Sequence, residues 1–157
     1  MLRYSESTRQ RGAVAIEFAV LSVLFVGLLY AIATYALSFF LTLTLNHLSA
    51  EAARSAIRID PALAEAEYRQ AISNQITATV TDFWSSAWID GGCDAPPALV
   101  WTPLPASSGQ PSYGYLASDG VSGQLLHVCL RMGRAPLPYL PGMRGRFIPQ
   151  GKALTRL

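Results

Sequence analysis

A short polar stretch opens the chain and gives way to 33 residues, Ala13 to Leu45, in which the only formal charge is Glu17. About 20 apolar residues suffice to cross a bilayer as a helix. At about 1.5 Å per residue this run would be about 50 Å long, so it outlasts a hydrocarbon core of about 30 Å. Past it, Asn46 to Ile59 continues the helix with Leu48, Ala52 and Ala56 at four-residue spacing, which keeps small apolar residues on one face. Asp60-Pro61 interrupts that pattern. Asp60 suits a cap and Pro61 the first helical position, so a second helix is predicted to start there. Leu63, Tyr68, Ile72, Ile76 and Val80 form its apolar stripe, and Glu65 and Arg69 an i,i+4 pair on its exposed side. It ends between Asp82 and Trp88, where Trp84 and Trp88 read as a hydrophobic cap.

Residues 89–124 are rich in turn signals, among them Asp90-Gly91-Gly92 and Pro96-Pro97. Two strands are predicted to pair, Leu99 to Thr102 and Gln124 to Met132, with Leu126, Val128 and Leu130 facing the core. Residues 133–157 hold four prolines, four glycines and no acid, and predict an extended or loosely packed tail. The expected fold class is α+β, in four segments. A leader (1–12) precedes a long transmembrane helix (13–45). A broken helical extension (46–88) leads to a small domain of a few short antiparallel strands (89–157).

Charge sharpens this picture. Only 14% of the residues are charged, against roughly 25% in an ordinary soluble domain. Arg3, Arg9 and Arg11 stand ahead of the apolar run with one acid, Glu6, whereas Glu51, Arg54, Arg58 and Asp60 follow it with mixed sign. Positive residues are retained on the cytoplasmic side, which predicts a cytoplasmic N-terminus and an exported remainder. Without residues 1–12 the formal net charge of +2 falls to zero, so a polyanion partner is not expected. The basic bias resides in the leader and in the tail, where Arg131, Arg134, Arg144, Arg146, Lys152 and Arg156 follow the last acid, Asp119.

A secretory signal peptide has an apolar region of about 7–15 residues with a small-residue cleavage site behind it, which this run exceeds more than twofold. The absence of a cysteine near residue 1 excludes a lipoprotein signal. An uncleaved signal anchor accounts for the arginines and the long helix but not for Glu17. An acid within a membrane segment costs a few kcal/mol and is a functional candidate by default. Gly12 stands five residues before Glu17, with Arg11 just ahead of it. If the chain is cut between Gly12 and Ala13, the new α-amine lies one helical turn from the Glu17 carboxylate, on the same face. The helix dipole also favours an acid there.

The segment Arg11-Gly12-Ala13-Val14-Ala15-Ile16-Glu17-Phe18-Ala19-Val20-Leu21 resembles the processing segment of TadE- and TadF-like pseudopilins of tight-adherence (Flp pilus) systems. Ala52-Ala53-Arg54-Ser55-Ala56 is similar to the pattern that follows the membrane helix in TadE-like domains. The resemblance covers residues 9–58 and leaves the TadE or TadF type open. It implies that a prepilin peptidase cuts after Gly12, with Ala13, Glu17 and Phe18 completing the processing site, and that Ala13 is open to N-methylation. It further implies a minor subunit, single-pass in a bacterial inner membrane or built into a pilus. Its partners would be the peptidase, other pilins and pseudopilins, the assembly platform and membrane lipid. The alternative is an uncleaved single-pass protein whose periplasmic domain binds a ligand or regulator.

Gly27 and Ala31 form a small-xxx-small pair of the kind that lets helices approach. Cys93 and Cys129 are the only cysteines and fall on the side expected to be exported, where two thiols pair. His127 and Cys129 share a strand face, with Cys93 and His47 as further ligand types. No C-x-x-C or H-x-x-x-H pair supports a metal site, however. Two histidines, no G-x-S-x-G and no Gly-rich phosphate loop leave no enzyme motif. A single lysine with scattered arginines gives no nucleic-acid footprint. No cofactor, metal or small-molecule substrate is expected.

Overall fold

The computed structural model describes residues 7–85, 87–91, 93–107, 109–118, 120, 123–133 and 148–157, without the side chains of 7–13. The order of elements is α1 (Ser7–Ala56), α2 (Glu65–Phe83), β1 (Ile89–Asp90), β2 (Thr102–Pro103), β3 (Gly114–Ser118), β4 (Gln124–Met132) and β5 (Gln150–Arg156). This is the expected α+β class: one long apolar helix, a second helix, then short antiparallel strands. The chain divides into two compact units, residues 1–37 and 38–157.

The second unit takes in α1 from Ser38 onward, α2 and the whole sheet. β4 is the central strand. β5 pairs antiparallel along it from Leu125↔Arg156 to Arg131↔Gln150. On the opposite edge of β4, β3 pairs with Gln124 to Val128 and β1 with Arg131 and Met132. β2 extends the sheet beyond β3. The period-2 alternation of β4 sends Leu126, Val128 and Leu130 to the helical side, where all three are fully buried. There they meet Leu45, Leu48, Ala52 and Ala56 of α1 and Tyr68, Ile72, Ile76 and Val80 of α2 in one core.

The predicted strand over residues 124–132 coincides with β4, and the four-residue spacings of both helices are those of the buried positions. Four expectations are corrected. The second helix starts at Glu65, not at Pro61: the Asp60 side chain accepts from the Ala62 N–H at 2.9 Å and closes a local turn. Leu63 consequently precedes the helix and is exposed. The strand expected at Leu99 to Thr102 is only Thr102–Pro103 and pairs with β3 rather than β4. β3 itself lies in the stretch read as loop, and β5 lies in the stretch read as a loose tail. Both were hidden for one reason: each borrows its pairing from β4, and glycines at Gly114 and Gly151 weaken the local strand signal.

Gly151 shows what that glycine is for. A Cβ there would stand 2.1 Å from the carbonyl carbon of Leu45 and 2.5 Å from the Asn46 amide nitrogen. β5 therefore touches the backbone of α1 directly, and only a residue without a side chain fits. Beside this contact the Lys152 N–H donates to Asn46 Oδ1 at 3.0 Å. Small polar groups join the other elements. The Ser73 hydroxyl donates to the Pro105 carbonyl at 2.6 Å and that of Ser107 to Asn74 Oδ1 at 2.6 Å, while the Ser55 and Thr79 hydroxyls lie 3.1 Å apart.

Candidate functional site: the acidic start of the apolar helix

α1 is helical without a break from Ser7 through the Gly12–Ala13 junction to Ala56. Ala13 and Glu17 are thus one turn apart along a continuous helix, about 6 Å by axial rise. The Glu17 side chain is exposed, and none of the ion pairs among the described residues involves it. Next to it Phe18 is 72% exposed. The surface before and after this pair is apolar on every side: Val14, Ile16, Val20, Leu24, Phe25 and Leu28 all lie more than half exposed. Val14–Ala56 is long and apolar enough to cross a membrane. A helix apolar all round has no amphipathic stripe to bury against a core and belongs in apolar surroundings. Hydroxyls within it are satisfied locally, as where Ser22 donates to the Ala19 carbonyl and Thr34 to that of Tyr30.

The two cysteines form a disulfide that ties the loop after β1 to β4 over a sequence separation of 36. It lies on the sheet face away from the helices, where Tyr115 donates its hydroxyl to the Cys93 carbonyl at 2.7 Å. His127 sits on the same face, 5% exposed, with the Trp101 ring at 5.6 Å and that of Tyr115 at 6.3 Å. Burial, and after it the positive charge of Lys152, holds its pKa below the usual histidine value. Burial raises the Tyr113 phenol, and Asp90 adds to that. Arg131 pairs with Asp90 at 3.4 Å where β1 meets β4. His127 and the paired Cys129 are therefore packing elements of this face. Among the described residues no three His, Cys, Asp or Glu side chains converge as metal ligands would. His47 lies far along the chain on α1, beside a groove.

Residues 12–54 match the family described as TadE-like protein. This segment is TadE-like. The match runs along α1 alone, from Gly12 to Arg54, and includes none of α2 or the sheet. The TadE-like segment contains Gly12, Ala13, Glu17 and Phe18 at its start and Ala52 to Arg54 at its end, where Ala52 and Ala53 are buried in the core of the second unit. No curated protein and no solved structure matches the chain.

Sequence reasoning did not find Asn46 and Gly151. Asn46 does carry a signal, being the first side-chain amide after the apolar run. Gly151 carries none, because the Leu45 backbone it meets lies more than a hundred residues away in the chain. Of the basic tail, Arg131, Lys152 and Arg156 are described, whereas Arg134, Arg144 and Arg146 lie outside the described residues.

Proposed function

We propose that the chain is a single-pass, pilin-like subunit used in assembling a tight-adherence (Flp) pilus or related secretion machinery, with no catalytic role of its own. The reading is carried by one observation: the TadE-like match covers residues 12–54 of the helix in which Glu17, the one acid of the apolar run, follows the Gly12–Ala13 junction by one turn. The chain enters the inner membrane with residues 1–12 on the cytoplasmic side, held there by Arg3, Arg9 and Arg11. A prepilin peptidase cuts after Gly12, and residues 38–157 fold in the periplasm. Cutting creates an α-amine on Ala13. Glu17 neutralises it, in the same chain or in a neighbouring subunit, so that neither charge stays unpaired in the bilayer, where an isolated acid costs about 3 kcal/mol. Paired charges allow the apolar faces of α1 to pack against other pilins and the assembly platform, with Gly27 and Ala31 as a point of close approach.

Intact mass of the membrane-extracted protein, with and without a co-expressed prepilin peptidase, tests this. Loss of residues 1–12 only with the peptidase is the expected result, and Gly12→Leu abolishes it. An intact N-terminus in both preparations means an uncleaved anchor. Glu17→Ala is expected to be cut but not assembled, and normal assembly of that variant removes the charge-pairing role.

A further inference from the structure

One face of α1 stays open inside the folded unit. Phe40, Leu43, His47 and Glu51 follow one another along it at spacings of three and four residues, and Phe83 and Trp84 from the end of α2 wall them in. The groove so formed has a volume of about 680 Å³. Phe40 is 64% and Phe83 70% exposed. The packing of α2 does not demand this, since its stripe ends on the fully buried Val80. Rings left open to water cost roughly 25 cal/mol per Å² relative to covered ones.

The groove has an order that identifies its occupant. Phe40 and Leu43 come first along α1, His47 one turn later and Glu51 one turn beyond that. Arg54 stands 4.0 Å from Glu51 on the next turn. Carbon thus gives way to polar and then charged groups over about 16 Å of helix. A phospholipid in one leaflet runs through the same sequence, from acyl chain to headgroup. Position agrees. A hydrocarbon core entered at Glu17 is crossed in about 20 to 25 residues, so Phe40 and Leu43 lie at its edge, where aromatic rings are favoured, and His47 and Glu51 lie in the interfacial layer beyond. The apolar surface is also continuous along the chain into the groove, with Phe39 67% exposed just before Phe40. An apolar helix from another protein would suit Phe40 and Leu43 but would strip water from the Glu51–Arg54 pair and offer it no polar partner in return.

We infer that this groove seats a phospholipid of the leaflet on the side of the folded unit, its acyl chain along Phe40, Leu43 and Trp84 and its headgroup at His47 and Glu51. The inference rests on the membrane-anchored reading proposed above. It adds a lipid site that holds the folded unit to the bilayer surface.

The test uses the full chain carrying Trp88→Phe and Trp101→Phe, which leaves Trp84 as the only tryptophan. The protein is reconstituted in phosphatidylcholine vesicles whose acyl chains are either unmodified or dibrominated. Bromine quenches indole at contact range, so the expected result is loss of most Trp84 emission in the brominated vesicles. Leu43→Glu, at a half-exposed position, is expected to restore the emission with the circular dichroism unchanged. If the protein floats with the vesicles and Trp84 emission is the same in both lipids, or Leu43→Glu changes nothing, the lipid site is wrong. Efficient disulfide formation between copies bearing Leu43→Cys and Phe83→Cys assigns the groove to a second copy instead. Failure to float overturns the membrane-anchored reading itself.

Discussion

Two stretches of one helix, residues 14–33 and residues 45–56 of α1, are both rich in apolar side chains and meet opposite surroundings. In the first, large residues point in every direction and stay open: Ile16 is 69% and Phe25 61% exposed. In the second, Leu45, Ala52 and Ala56 are fully buried. The difference lies in size and order rather than in hydrophobicity. Bulky residues all round a helix offer a surface to an apolar solvent. Alanines recurring every fourth residue offer a flat face against which α2 and the sheet can pack closely. Asn46, at the start of the second stretch, then finds a backbone partner in β5, and Gly151 lets that strand reach the helix backbone. One helix thereby serves first as an anchor and then as half of a core.

The sharpest way to break this comparison is to remove the disulfide. Cys93→Ser with Cys129→Ser opens a loop whose closure contributes about 3.5–4 kcal/mol in the chain-entropy model. Urea unfolding of the full chain in micelles should show the midpoint for residues 38–157 falling steeply. The helical signal of residues 14–37 should persist, because that stretch lies outside the unit that the disulfide staples. A common loss of both signals would mean that the two stretches are not independent.

Gly151→Val tests the close approach of β5 to α1. A side chain that meets backbone atoms on the facing element costs about 1–3 kcal/mol, read as a lower urea midpoint for the second unit alone. An unchanged midpoint would show that β5 can move away from Leu45 freely, and that the second stretch of α1 is less tightly held than its burial implies.

The smallest effect is that of pH. Because His127 titrates below the ordinary histidine value in the folded protein, the unfolded chain takes up a proton that the folded one resists. The stability this involves is intact above about pH 6.5 and is lost as the pH falls from there toward the folded pKa. The slope for one such group reaches at most about 1.4 kcal/mol per pH unit. Melting temperatures measured between pH 8 and pH 5 should therefore decline on the acid side. His127→Gln should flatten the decline. A slope unaffected by His127→Gln would assign the effect to other groups.

Much of this organisation was legible in the chain alone, for a reason that differs by region. The apolar helix, the spacing of Gly12, Ala13 and Glu17, and the period-4 faces of α1 and α2 are properties of neighbours within a turn or two, which sequence spacing reports directly. β4 is legible too, since nine residues alternating around Leu126, Val128 and Leu130 can be little else. The pairing of the two cysteines follows from their number and expected side of the membrane, and the structure joins them. Long-range contact alone decided the rest. β3 and β5 become strands by lying on either edge of β4, residues 148–157 are recruited from a glycine- and proline-rich tail, and Gly151 matters only because Leu45 is its neighbour in space. The groove walled by Phe83 and Trp84 likewise exists only once α2 has packed on α1. Where a feature depends on residues one turn apart, composition and spacing determined it. Where it depends on which backbone pays a visit from a hundred residues away, tertiary packing did.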